Sequence, residues 1–99
     1  MLDYDLTDRA VRDISAARRW YDQASTDLGN RFVDEVLLAI RAARERPHSF
    51  PIVQSDKRAV RCRKFPYRVY FEEFRGHIVV LAVYHTSRNP SLWDDPDRQ

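Results

Sequence analysis

Apolar and acidic residues alternate at the start of the chain, with Leu2, Tyr4 and Leu6 set against Asp3 and Asp5. A period of two is that of a half-buried strand. Thr7 is placed to cap a helix, and Asp8 would complement the helix dipole in the first turn. Ala10, Ile14, Ala17, Tyr21 and Ala24 then recur at spacings of four and three, which lines one face of that helix. Ser25 to Asp27 is a short polar break. Phe32, Val33, Val36, Leu37, Ile40 and Ala43 form the apolar stripe of a second helix that Pro47 stops. So short a connection predicts an antiparallel helical hairpin. Gly29, early in the second helix, either permits close helix packing or weakens that turn.

Residues 47–57 contain Pro47, Phe50 and Pro51 and read as a loop. A strand is expected over Ala59 to Lys64, with Val60 and Cys62 on one face and Arg61 and Arg63 on the other. Another runs from about Tyr67 to Phe74, and Arg75 with Gly76 makes a hairpin turn. The last strand, His77 to His85, is apolar on both faces: Ile78, Val80, Ala82 and Tyr84 alternate with Val79, Leu81 and Val83. Such a strand is central and covered on both sides. The order β-α-α-β-β-β predicts an α+β domain. In it, an antiparallel meander takes the first strand at an edge and the helical hairpin across one face. Ile14, Tyr21, Val36, Ile40, Val80 and Ala82 are expected to share its core. Asp94 to Gln99 reads as an acidic tail, and Trp93 as an apolar plug.

The chain has 99 residues, which fits one domain over 1–99 with no room for a separate cofactor domain. Apolar residues make up 43% and charged residues 32%, a soluble globular balance rather than a disordered one. The net charge of +2 is unevenly placed. Residues 1–55 carry eight Arg against nine acids, whereas residues 56–99 carry nine Lys/Arg against six. Between Lys57 and Phe71 stand Lys57, Arg58, Arg61, Arg63, Lys64 and Arg68 and no carboxylate, a run suited to a polyanion or an acidic partner. One cysteine, Cys62, excludes an internal disulfide and fits a reducing cytoplasm. Arg61 and Arg63 beside it would activate its thiol, but a buried strand position is the expectation. No signal peptide or membrane span is read from the sequence.

Two glycines leave no material for a phosphate-cradling loop, and no Cys/His spacing suits zinc. No metal and no cofactor is expected. His85 is the candidate general acid or base, standing where an apolar strand meets an irregular segment; a structural histidine fits the same position. Arg61, Arg63 and Arg88 are the candidates for stabilising phosphate charge. Arg61 and Arg63 on one face equally suit a solvated edge strand. Lys64, Arg68 and Tyr70 would extend a nucleic-acid or target surface, with Tyr67 and Tyr70 available to stack on bases. For Tyr67, core packing is the expectation. Glu35 is expected to be solvated.

Several runs together resemble the RelE/ParE superfamily of bacterial toxins from toxin–antitoxin modules. They are Ala10, Asp13, Ile14 and Tyr21; Pro47, Phe50 and Pro51; Phe65 to Tyr70 (FPYRVY); and Val83 to Pro90 (VYHTSRNP) with Trp93. The resemblance covers nearly the whole length and implies the same β-α-α-β-β-β fold and a cognate antitoxin. It leaves two modes of action. RelE-like members are metal-independent endoribonucleases that cut mRNA on the ribosome. ParE-like members lack that catalytic set and poison DNA gyrase. The FPY and HxxRxP elements and the mild charge resemble the ParE branch more closely. Under the ribonuclease mode His85, Arg61, Arg63 and Arg88 would be catalytic. A homodimer is left open.

Overall fold

A computed structural model describes residues 1–88 of the chain. Strand β1 (Asp3–Leu6) leads into helices α1 (Asp8–Asp22) and α2 (Thr26–Glu45). Strands β2 (Ile52–Gln54), β3 (Lys57–Arg61), β4 (Tyr67–Phe74) and β5 (His77–His85) follow. The sheet order is β1-β5-β4-β3-β2. β2 to β5 form an antiparallel meander, and β1 lies parallel to β5 at one edge. The α+β architecture is the one expected, with one added strand: β2, inside the stretch read as loop. Trp93, expected as an apolar plug, and the acidic tail over 94–99 lie outside the described residues.

Local chemistry sets the element ends. The Thr7 hydroxyl oxygen accepts from the Ala10 N–H at 3.1 Å, capping α1. Ser25 is extended (φ −170°, ψ 133°) and separates the helices. A Cβ on Gly29 would overlap the Asp22 carboxylate and stand 3.2 Å from the Arg18 carbonyl oxygen. Gly29 therefore serves close helix packing. The β4–β5 turn places Arg75 (φ 55°) and Gly76 (φ 74°) both in the left-handed region, the pairing that matches strand twist in a two-residue hairpin.

Both helices lie on one face of the sheet. Ala10, Phe32, Val36, Ile40, Val69, Phe71, Ile78 and Val80 make one buried core, with Ile14 and Tyr21 packed against it. Ala82, expected in that core, belongs instead to a second small cluster with Ala59, Tyr70 and Tyr84. The cause is a register shift: Tyr70 pairs with Ala82 but Phe71 with Val80, so Leu81 is an extra residue in β5. A bulge of this kind inverts the side-chain alternation beyond it. Ile78 and Val80 face the helices before the bulge and Val83 after it. Ala82 and Tyr84 are turned to the opposite face.

Candidate functional site

That inversion decides which candidate residues can meet. On β3 and β4, Val60 and Val69 face the helices, so Arg61 and Arg68 face away. Arg61 stands directly opposite Arg68, and Arg68 directly opposite Tyr84. Like charges directly opposed across a sheet cost stability. Here they are held by carbonyls. Arg61 Nη1 donates to Cys62 O at 3.4 Å and Phe65 O at 3.3 Å, and Arg68 Nη1 donates to Thr86 O at 3.5 Å. The Arg88 guanidinium stacks on the Tyr84 ring at 4.3 Å and that of Arg9 lies 5.4 Å from it. Among the described residues none of these four arginines forms an ion pair with a carboxylate. The result is a guanidinium row around one tyrosine, disposed for an anionic group.

Three of the expected members are placed differently. β3 ends at Arg61, so Arg63 is not its strand neighbour. The Cys62 N–H donates to the Tyr67 carbonyl, and Phe65 drops into the core, which turns residues 62–66 out of the strand. Arg63 and Lys64 are exposed on that turn, where both border α2. Tyr70 is 2% exposed and cannot stack on a base in this conformation. It packs against Tyr84 at 5.4 Å.

His85 is not brought to Arg61 or Arg68, although Arg88 lines the same cleft. It shares the helix-facing side with Val83, opposite Tyr67 in register and 5.3 Å from it edge-to-face. Its Nδ1 accepts from the Ser87 N–H at 3.1 Å. The other histidines stand apart, His48 with Glu73 at 2.7 Å and His77 with Asp5 at 2.5 Å.

His85 instead lines a cleft of about 600 Å³ between α1 and the ends of β4 and β5. Asp13, Ala16, Ala17 and Trp20 supply the helix wall, and Tyr67 and Val83 the strand wall. Asp13 accepts from the Val83 N–H at 3.0 Å. Burial pushes its carboxyl above the usual range, against the lowering effects of that bond and of Arg9, Arg88 and Arg12. The fold thus favours the protonated form, so this contribution to stability is present at acid pH and lost as pH rises through the raised value. Asp13→Asn keeps an acceptor and removes the charge. It is expected to match or exceed the parent at pH 7, whereas Asp13→Ala should lose about 1 kcal/mol. Urea unfolding at pH 7 and pH 4 checks both.

Cys62 is buried as expected, its thiol pushed up to about 11 by burial first and by Glu35 second, against a lowering by Arg61. Native protein at pH 8 should resist a thiol-alkylating reagent and react fully in urea, read by mass spectrometry. Glu35, expected in solvent, is only partly exposed. Its Oε1 is enclosed between α2 and β3 without a hydrogen-bond partner among the described residues.

Sequence reasoning missed Arg9, Trp20 and Tyr84 as site residues. Asp13 gave a signal, being a carboxylate between the apolar positions Ala10, Ile14 and Ala17 of α1.

Comparison with known proteins bears on the family and the fold. Residues 4–90 match the model of the family described as the ParE toxin of type II toxin–antitoxin systems, parDE. Comparison with curated proteins gives no match. Among solved structures, the chromosomal ParDE system from P. aeruginosa superposes with a TM-score of 0.76 at 15% identity, covering 86% of this chain and 96% of that one. The E. coli RelE toxin gives 0.54 at 13% identity over 99% and 98%, and the E. coli RelBE complex gives 0.54 at 13% over 89% and 100%. These likenesses speak for the fold, and the family match over most of the chain speaks for membership: the chain belongs to the ParE toxin family of type II toxin–antitoxin systems.

Proposed function

We propose that this ParE-family toxin halts bacterial growth by binding and poisoning DNA gyrase, without bond-breaking chemistry of its own. The observation that carries the reading is the bulge at Leu81, which sends His85 to the face opposite Arg61 and Arg68. Metal-independent RNA cleavage needs a proton-transfer group within hydrogen-bond reach of the phosphate that the cations stabilise. Here the imidazole lies on the face opposite Arg61 and Arg68, and of the row Arg88 alone lines its cleft. Arg61, Arg68, Arg88 and Arg9 then serve to grip an acidic target surface, with Arg63 and Lys64 extending it. On this reading the toxin acts in the cytoplasm as a metal-free, cofactor-free protein held in check by its antitoxin.

The endoribonuclease reading keeps one observation in its favour: among the described residues Arg61 and Arg68 form no ion pair with a carboxylate, and the two together suit a phosphate. Purified toxin incubated with gyrase and plasmid separates the two. Accumulation of cleaved DNA with intact mRNA supports gyrase poisoning. Cleavage of ribosome-bound mRNA with normal supercoiling overturns it.

A further inference from the structure

Helix α2 turns two neighbouring leucines to solvent. Leu37, expected in the inward stripe, is 45% exposed, and Leu38 is 51% exposed. Phe32, Val36, Ile40 and Ala43 make the buried side of the helix. At about 100° per residue the opposite side then carries Arg31, Asp34, Leu38, Arg41 and Glu45, with Leu37 on its flank. All four charged residues of that stripe are exposed. Beside Leu37 a cleft of about 420 Å³ opens between α2 and β1, lined by Tyr4, Ile40 and Arg44. Arg44 holds its wall in place, donating to Leu2 O at 2.6 Å and lying 5.0 Å from the Tyr4 ring. Adjacent exposed leucines beside an open cleft form a contact surface. It lies on the outside of the helical layer, away from the arginine row.

The order of charges along the stripe identifies the occupant. From Arg31 to Glu45 it reads basic, acidic, apolar, basic, acidic. In reverse it reads acidic, basic, apolar, acidic, basic. A second α2 laid antiparallel over the first, with a two-fold axis at Leu38, therefore sets Arg31 against Glu45 and Asp34 against Arg41 in both halves. A parallel pair in register would set like charge against like at all four positions. Spacing permits the match. Arg31 and Glu45 are each seven residues from Leu38, while Asp34 is four away and Arg41 three. The one-residue offset is about 1.5 Å along the axis, well within side-chain reach. Within one chain Arg31 already pairs with Asp27 at 3.1 Å and Arg41 with Glu45 at 3.6 Å. Asp34 forms no ion pair among the described residues, and the second copy supplies one.

We propose that this face is the interface of a symmetric dimer of the toxin, in which two α2 helices cross antiparallel at Leu38. The two-fold keeps Leu37 of the second copy on the side of the cleft, where it seats against Tyr4 and Ile40. Both arginine rows stay open on the outer faces of the dimer. The proposal is independent of gyrase as the target.

Sedimentation velocity of the purified toxin is the test. The parent is expected to run as a dimer at about 100 µM, with a dissociation constant on the order of 10 µM. Leu38→Glu brings two carboxylates together at the axis and should weaken the dimer about thirtyfold or more. Asp34→Arg and Arg41→Asp each set like charges together and should weaken it about tenfold. Mixed in equal amounts, these two charge variants restore opposite signs at both contacts, and association should return to within about threefold of the parent. The three positions are exposed, so far-UV circular dichroism of every variant should match the parent. A parent that stays monomeric overturns the proposal. So does a parent dimer that Leu38→Glu leaves intact. Charge variants that dimerise alone as the parent does, or that fail to associate when mixed, place the interface on another face and overturn it as well.

Discussion

Phe32→Ala is expected to lower stability by about 3–5 kcal/mol, the usual cost of emptying a buried aromatic site. Phe32 is fully buried at the centre of a ring cluster. Its centroid lies 5.4 Å from Tyr21, 5.4 Å from Phe65 and 5.0 Å from Tyr67. Tyr21 in turn meets Phe65 at 4.9 Å. These four rings join both helices to the turn between β3 and β4. Removing the central one leaves three large rings that cannot close the gap without moving backbone. A domain of this size has only about 5–15 kcal/mol of stability, so the variant should unfold at much lower urea. Trp20→Ala is the control: it deletes a larger but mostly exposed ring and should change stability by under about 0.5 kcal/mol. Equilibrium urea unfolding of the three proteins decides the matter. A loss below about 1 kcal/mol for Phe32→Ala would show that the helices are held to the sheet elsewhere.

The helices and the long strands were legible because their apolar spacing is regular and their ends carry chemistry: Thr7, Ser25, Pro47 and the Arg75–Gly76 turn. β2 was not, because three residues after Pro51 give no period to read and its pairing depends on β3. The face assignment of β5 failed for a different reason. A strand apolar on both sides looks the same with or without an extra residue, so nothing in Val80, Leu81 and Ala82 announces the bulge. Every residue after it was assigned to the wrong side. Ala82 was expected in the main core and lies outside it. His85 was grouped with Arg61 and faces the other way. Arg63 was displaced from the strand by a different contact, the burial of Phe65, which only the packed fold supplies. Glu35 read as solvated because its sequence neighbours are charged, whereas β3 encloses one of its oxygens. The cations of the site were legible as a run, but their arrangement around Tyr84 was not.

His85→Ala therefore carries the sharpest functional expectation: toxicity retained. Loss of a positioned acid or base lowers a rate by about 10²–10⁴-fold, so an enzyme relying on His85 would become non-toxic. The ring contacts Tyr67 at the exposed end of β5, and its removal leaves the core intact. Arg68→Glu, by contrast, should abolish growth arrest. It reverses charge in the middle of the row, opposite Arg61, and central charged contacts at interfaces are commonly worth 2 kcal/mol or more, about thirtyfold in affinity. Arg61→Ala should weaken the toxin in the same direction by less, since Arg68 and Arg88 remain. Growth arrest, mRNA decay and induction of the SOS response, followed in the same cultures, give the readout. Gyrase poisoning predicts SOS induction by the parent and by His85→Ala, none by Arg68→Glu, and stable mRNA throughout. Rapid mRNA decay in the parent that disappears in His85→Ala would reverse the assignment. In that case the imidazole must reach the arginine row across the end of β5, in a conformation different from this one.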